Sequence, residues 1–161
     1  MEIPTLICVV ALLAPVHNAQ TICEASQEID RIAWEQSIPW EVLIAQGIHE
    51  SRWTTTAINP KTGALGVFQQ MPQWSPIGRQ DLLTLQGSLD GLTHTLNWIR
   101  KWPRAGGSIP SILCVYGSGK SQWCEAQGLR GSQYSRTVER LAGPLVLLSR
   151  MLDPYPESLH F

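Results

Sequence analysis

The residues best suited to chemistry stand together in HESRW, the stretch from His49 to Trp53. This stretch joins an imidazole, a carboxylic acid, a hydroxyl, a guanidinium and an indole. Glu50 is the group that could act as a general acid, because a carboxyl group in apolar surroundings keeps its proton near neutral pH. The competing interpretation is a solvated charge that Arg52 or Lys61 neutralises on the surface. Glu50 alone does not distinguish these two roles.

The element that must position Glu50 is predicted to be a helix. Apolar residues recur after Pro39 with the spacing of an amphipathic helix. They are Trp40, Leu43, Ile44, Gly47 and Ile48. Glu50 follows at the C-terminal end of this helix, where the helix dipole disfavours a carboxylate. Residues 54–66 are rich in Thr, Asn, Pro and Gly, which predicts a loop with at most a small β element.

Other parts of the chain are predicted to be helices as well. They are residues 24–36, residues 88–102 with Ser88 as the N-cap, a helix that begins at Pro110, and a last helix from about Ser132. A short helix is allowed at residues 67–71. Pro144 is expected to kink or split the last helix. No segment alternates convincingly as a strand, so the sequence predicts an all-α domain.

A longer pattern begins at Glu50 and runs to Pro72, as ESRWTTTAINPKTGALGVFQQMP. It resembles the signature of the soluble lytic transglycosylases, goose-lysozyme-like enzymes that cut bacterial peptidoglycan. That signature has Glu-Ser, a spacer, and a block ending Gly-Ala-x-Gly-Leu-Met-Gln-x-Met-Pro. The matching residues are Glu50, Ser51, Pro60, Gly63, Ala64, Gly66, Gln69, Met71 and Pro72. Apolar Val67 and Phe68 stand in for Leu and Met.

Two later segments follow in the order that the family has. CVYGSG resembles the family's Ala-Tyr-Asn-Ala-Gly segment through Tyr116 and Gly119. YSRTV resembles its late Tyr-Val-x-x-Val helix through Tyr134 and Val138. The resemblance covers residues 24–142. Gly117 departs from it, because the family has Asn there, and this affects substrate placement or loop geometry.

The resemblance implies a lysozyme-like fold and cleavage of the MurNAc-β-1,4-GlcNAc bond. Glu50 would protonate the leaving GlcNAc oxygen and then take a proton from the MurNAc C6 hydroxyl, which attacks C1 and forms a 1,6-anhydro end. Ordinary glycosidases use two carboxylates. The next acid after Glu50 is Asp81, beyond the motif, which favours transglycosylation. A muramidase on the same fold and a catalytically weak peptidoglycan-binding protein are the alternatives.

For the substrate cleft the resemblance implies Ser51, Gln69, Met71, Tyr116 and Gly66. Gln69 would hydrogen-bond sugar amide or hydroxyl groups, and Met71 would pack against the acid. Tyr116 would hydrogen-bond near the carboxyl of the acid or the substrate N-acetyl group. Gly66 would shape the loop so that the sugar can approach the backbone.

The other aromatic and imidazole side chains are predicted to have structural roles. The Tyr134 hydroxyl is expected to tie the last helix down. Trp53, Trp74 and Trp123 are more often core residues than platforms for sugar rings. The imidazoles of His49 and His94 belong to no motif.

The first nineteen residues differ in composition from the rest of the chain. Leu6–Ala14 is an unbroken run of nine apolar residues. A membrane span needs about 20 such residues, whereas the apolar core of a secretory signal needs about 7–15. We therefore expect a signal peptide at residues 1–19, cleaved near Ala19. Export to the periplasm or cell-wall space would follow, with no stable membrane span after processing. An uncleaved anchor and a buried N-terminal element are the alternatives.

This division leaves a catalytic domain at residues 20–150 and a Pro-rich tail at residues 151–161. The chain of 161 residues has 12 basic and 13 acidic side chains and no basic run, which argues against nucleic acid as a partner. The expected partner is the peptidoglycan glycan strand. By analogy with small stand-alone members of the family, a phage, conjugation or secretion machine is a second expected partner.

The cysteines predict a disulfide and no metal site. Cys8 lies in the expected leader, which leaves Cys23, Cys114 and Cys124. In an oxidising compartment three cysteines predict one pair and one remaining thiol, without assigning the pair. No Cys/His cluster has the spacing of zinc ligands, so neither a metal nor another cofactor is expected.

Overall fold

The computed structural model describes residues 1–101, 107–119, 124 and 132–154. Most of these residues are helical, which confirms the predicted all-α class. The helices are α1 (Ile3–Leu13), α2 (Ala19–Glu24), α3 (Ser26–Gln36), α4 (Trp40–Ser51), α5 (Leu85–Arg100), α6 (Ile109–Ser118) and α7 (Gln133–Leu152). A 3₁₀ turn at Asp81–Leu83 precedes α5.

Helix α4 lies in the centre of the core and carries Glu50 near its end. Every residue from Trp40 to Gly47 is buried. Helices α3 and α7 pack against α4, and α6 packs against α7. Because the buried part of α4 ends one turn before Glu50, this carboxyl group emerges from the core at a fixed position.

Helix α7 forms the wall beside α4 and continues through Pro144 without a break. The Ser132 hydroxyl caps its start by accepting a hydrogen bond from the Ser135 N–H at 3.1 Å. Its buried face extends on both sides of Pro144, from Val138 to Ser149. The prediction that Pro144 splits the helix is therefore wrong, since Pro144 lies inside one continuous helix. The alternative of a kink stays a prediction.

Residues 67–71 form a turn, so the short helix allowed at this place is not present. Gln69 has a φ of 50°, in the left-handed region, which is incompatible with a right-handed helix. Leu65 forms isolated antiparallel bridges with both Ile58 and Gln70. These bridges are the small β element that the loop composition permitted.

Helix α5 begins at Leu85, before its predicted start. Thr84 is the N-cap, since its Oγ1 accepts a hydrogen bond from the Gly87 N–H at 3.0 Å. Ser88, the predicted cap, lies inside the helix. Its hydroxyl donates to the Leu82 carbonyl at 2.9 Å and accepts from the Val67 N–H at 3.1 Å. Ser88 therefore fastens the motif loop to α5.

The N-terminal segment packs into the core in this structure. Leu6, Ile7 and Val10 of α1 are at most 2% exposed. A disulfide joins Cys8 of α1 to Cys23 of α2, and this pairing matches the alternative of a buried N-terminal element. The signal peptide itself stays a prediction. Among the described helices, none is long and apolar enough to cross a membrane.

All four cysteines are paired, which differs from the predicted single pair with one remaining thiol. The second disulfide joins Cys114 of α6 to Cys124. The prediction differed because it set Cys8 aside with the leader.

Candidate active site

The HESRW stretch ends α4 in a sharp reversal that is held by Trp53. Arg52 and Trp53 have φ values of 56° and 58°, both left-handed. The Trp53 indole is fully buried under α4, and its Nε1–H donates to the Ile44 carbonyl at 2.9 Å. Gly47 makes room for it, because a Cβ there would lie 2.5 Å from Nε1. Trp53 is thus a core residue, as expected, and it fixes the turn that carries Glu50.

Two cavities meet at the Glu50 side chain. The larger, about 1060 Å³, lies against α5, α6 and the start of α7. The smaller, about 420 Å³, lies over residues 57–61. Glu50, Asn59 and Gln69 line both cavities. Their volumes are in the range of ligand sites, and a cleft that continues on both sides of one carboxyl group suits a chain-like ligand.

Burial raises the pKa of Glu50 to about 7, and a hydrogen bond partly offsets this rise. The bond comes from the Tyr134 hydroxyl, which donates to Oε1 at 2.5 Å and lowers the pKa. Among the described residues, none donates a hydrogen bond to Oε2. Glu50 therefore holds a proton through much of the neutral range, and Oε2 is the oxygen free to deliver it.

No second carboxyl group from the described residues lines either cavity. His49 lines the larger cavity, and partial burial lowers the pKa of this imidazole, which favours its neutral form. Lys61 lines the smaller cavity and is the one cation among the described lining residues. Among the described lining residues the site thus has a single carboxyl group, that of Glu50. The ammonium group of Lys61 lines only the smaller cavity.

The two tyrosines of the site differ from the expected roles. Tyr116 lines the larger cavity, but its hydroxyl donates to the Phe68 carbonyl at 2.8 Å. Tyr134, to which the sequence assigned a structural role, makes the bond to Glu50. The two rings stack with centroids 6.2 Å apart. Tyr134 and not Tyr116 therefore hydrogen-bonds the Glu50 carboxyl group, and a bond from Tyr116 to the substrate N-acetyl group stays a prediction.

Gln70 is a site residue that the motif match did not reveal. Its amide nitrogen donates to the Tyr116 hydroxyl, and its amide oxygen accepts from the Thr95 hydroxyl at 2.8 Å. This chain of hydrogen bonds joins the motif loop to α5 and α6. Gln70 occupies a variable position of the signature, so only its place in the fold shows its role.

Ser51 and Gly66 line neither of the two cavities, which differs from the predicted place of Ser51 in the cleft lining. The loop-shaping role of Gly66 stays a prediction. The Ser51 hydroxyl donates to the Val67 carbonyl at 2.8 Å, which ties the end of α4 to the motif loop. At Gly66, where φ is 73°, a Cβ would lie 2.0 Å from the Leu82 carbonyl oxygen. Neither residue lines the two cavities, because both are turned towards packed backbone.

Gln69 and Met71 do lie in the cleft. Gln69 lines both cavities, and its amide N–H donates to the Gly66 carbonyl at 3.0 Å. This bond holds the amide in place while its oxygen can accept from a ligand. Met71 lines the larger cavity. The sequence predicted both of these positions.

Exposed aromatic side chains form the outer wall of the larger cavity. Trp74, His94 and Trp98 all line it. Trp74 is 76% exposed, so the expectation that it is a core residue is wrong. Trp98 is 40% exposed. Trp123 lies outside the described residues. The wall offers flat apolar faces to a ligand.

The arrangement of these groups is suited to acid–base chemistry. A carboxyl group with a pKa near 7 can donate a proton and recover it in the same reaction cycle. Within the described residues, no group of His, Cys, Asp and Glu side chains could hold a metal ion. Comparisons with protein-family models, with curated proteins and with solved structures find no match for this chain.

Proposed function

We propose that the protein is a peptidoglycan lytic transglycosylase that uses Glu50 as its single general acid and base. One observation carries this proposal: the carboxyl group at the motif position of the acid lies at the junction of two cavities, with a pKa of about 7. Such a group is protonated often enough to act as an acid at neutral pH. The motif resemblance supplies the substrate class.

The reaction follows from the two oxygens of Glu50. Its proton moves from Oε2 to the glycosidic oxygen as the bond from that oxygen to C1 of MurNAc breaks. The carboxylate that results keeps the Tyr134 hydrogen bond on Oε1. It then takes the proton of the C6 hydroxyl as O6 bonds to C1. A GlcNAc-ended strand and a 1,6-anhydro-MurNAc end are released, Glu50 is protonated again, and no water is consumed.

The single carboxyl group favours this route over ordinary hydrolysis. A retaining glycosidase needs a second carboxyl group at about 5–5.5 Å, and an inverting one needs it at about 6.5–9.5 Å. Glu50 has no such partner among the described lining residues. An attacking hydroxyl that belongs to the substrate needs no second carboxylate, because Glu50 can act first as acid and then as base.

The lining residues suit the chemical groups of a glycan strand. The amides of Asn59 and Gln69 can hydrogen-bond N-acetyl groups beside the bond that is cut. Trp74 can stack on the apolar face of a sugar ring. Lys61 can pair with a carboxylate of the lactyl group or peptide stem. Export to the cell wall and service to a phage, conjugation or secretion machine belong to the same proposal.

The test is digestion of purified sacculi by the full chain, with muropeptides identified by mass. Glu50→Gln is the matched variant, because it keeps the shape and the acceptor for Tyr134 but carries no titratable proton. We expect 1,6-anhydro products that the variant does not form. Reducing-end products that depend on Glu50 would make the protein a muramidase. Sacculi that bind both forms and yield no products would make it a wall-binding protein.

A further inference from the structure

Gly117, the residue that departs from the family pattern, lies directly against the tyrosine that bonds Glu50. A Cβ at position 117 would be 2.5 Å from Cγ of Tyr134, 2.8 Å from Cδ2 and 2.9 Å from Cβ. Carbon atoms do not approach this closely without a shift. The Tyr134 ring therefore occupies the space that a side chain at position 117 would need.

The Tyr134 ring is also held on other sides. It meets the His49 ring edge to face, with centroids 5.0 Å apart and planes at 81°. It stacks on Tyr116 with planes at 23°. Its backbone lies in the first turn of α7, which Ser132 caps. A ring displaced from Gly117 would have to disturb these neighbours or withdraw its hydroxyl from Glu50.

We infer that Gly117 and Tyr134 form an interlocking pair that positions Glu50. The bare backbone at 117 admits the ring, and the position of the ring directs the hydroxyl to Oε1. The inference rests on the proposed function for its meaning. Gly117 and Tyr134 are positioning residues, since they act on the reaction through Glu50.

The pair determines which Glu50 oxygen delivers the proton. Because Tyr134 donates to Oε1, the proton of the acid form is directed to Oε2. The same bond stabilises the carboxylate that remains after proton transfer. It lowers the pKa of Glu50, in opposition to the rise that burial causes. Without this bond, the acid would regain its proton more readily but would be less well oriented.

The other groups around Glu50 do not duplicate this effect. Partial burial lowers the pKa of His49 on α4, which favours the neutral imidazole. The Tyr116 hydroxyl on α6 donates a hydrogen bond to the Phe68 carbonyl. His94 on α5 and Lys61 on the loop line the two cavities. None of the four makes a hydrogen bond to Glu50 in the described structure.

Buried Gln46, one turn before Glu50 on α4, is a further polar group that acts on Tyr134. It is 1% exposed, and its amide lowers the pKa of Tyr134 without reaching the geometry of a hydrogen bond. It can therefore tune the Tyr134 hydroxyl, but it does not replace Tyr134 at Glu50.

The experiment is an NMR titration of the Glu50 carboxyl carbon in the full chain, which requires no activity. We expect Tyr134→Phe to raise the pKa of Glu50 by roughly one pH unit, the value of a hydrogen bond to a charged group. Gly117→Ala should raise the pKa in the same direction by displacing the ring. The double variant should shift no further than Tyr134→Phe alone. Gly143→Ala on α7 is the control, because its Cβ meets nothing within 4 Å.

Two results would overturn the inference. One is an unchanged pKa in a folded Gly117→Ala variant. The other is a double variant whose shift is the sum of the two single shifts. If Gly117→Ala does not fold, adding Tyr134→Ala should restore folding, because it removes the ring that the new Cβ would meet. A double variant that still does not fold would contradict the proposed interlocking pair. If the wild-type chain releases nothing from sacculi, the proposed activity fails, while the titration still decides the pair.

Discussion

The two cavities that meet at Glu50 are built in different ways. Four helices and the loop after α4 line the larger one, and its polar side chains are joined in a network that runs from Thr95 through Gln70 to Tyr116. Apart from Glu50 of α4, only residues of that loop line the smaller one among the described residues. That loop is closed locally, because the Asn59 side chain accepts from the Lys61 N–H at 2.9 Å and its carbonyl accepts from the Gly63 N–H at 2.8 Å.

The side chains that line the two cavities also differ in chemical type. The larger has the exposed faces of Trp74 and Trp98, whereas the smaller has Lys61 beside Pro60. Aromatic faces recognise the shape of a sugar ring, and an ammonium group recognises negative charge. The two halves of a bound strand would therefore be held by different interactions on either side of Glu50, aromatic stacking on one side and charge on the other.

The largest effect on stability is expected at Gly66, in the loop that contributes Gln69 to both cavities. At Gly66 an added Cβ would strike the Leu82 carbonyl oxygen at 2.0 Å and the Ser88 Oγ at 2.3 Å. Gly66→Ala should therefore lower the free energy of unfolding by about 4 kcal/mol, the sum of a clash and a left-handed φ. Gly63→Ala is the control, because it has a φ of 75° but nothing within 4 Å. Its loss should be about 1 kcal/mol. Equal losses in urea denaturation would contradict the close approach at Gly66.

A second prediction concerns the junction and its dependence on pH. The pKa of Glu50 rises from 4.5 to about 7 on folding, so the folded state binds the proton more tightly. The resulting stabilisation is complete below pH 4.5 and is lost as the pH rises through 7. Relative to Glu50→Gln, the wild-type free energy of unfolding should fall by about 3 kcal/mol across this window. Parallel stability curves in urea denaturation from pH 4 to 8 would contradict the raised pKa.

The aromatic side of the comparison is tested by removing one indole. Trp74→Ala should raise KM for sacculi by up to about tenfold, the value of an aromatic contact of roughly 1.5 kcal/mol, with little change in kcat. Trp34→Ala is matched to it, because Trp34 is 69% exposed on α3 and lines neither cavity. A change in kcat alone, or equal changes in the two variants, would remove Trp74 from substrate binding.

The cationic side should show the smallest effect. Lys61→Met should reduce kcat/KM on intact sacculi by roughly two- to fivefold, as expected for an exposed ion pair. The reduction should vanish at high salt and on sacculi whose carboxylates have been converted to neutral amides. Lys101→Met, at the exposed end of α5, is the matched control. A salt-independent effect of Lys61→Met would point to a role in loop shape.

The sequence predicted the parts of the site that local signals determine. The apolar spacing after Pro39 placed Glu50 at the end of α4, and Ser132 marked the start of α7. Gln69 and Met71 followed from the motif. The two helix predictions succeeded because helix periodicity and caps depend on nearby residues only.

The remaining parts depend on contacts between distant residues. Tyr134 meets Glu50 across 84 positions of sequence, and Gln70 meets Tyr116 across 46. The exposure of Trp74 likewise follows from which surfaces are left uncovered after packing. An apolar run such as Leu6–Ala14 fits both a signal peptide and a short buried helix, because both need a similar number of apolar residues.

Transglycosylation by Glu50 is tested most directly by digestion of sacculi in water enriched in ¹⁸O, followed by mass analysis of the new glycan ends. We predict that the wild-type chain, but not Glu50→Gln, forms 1,6-anhydro ends that carry no ¹⁸O. New ends that have gained one ¹⁸O in a reducing sugar would contradict it, because water and not the C6 hydroxyl would then be the attacking group.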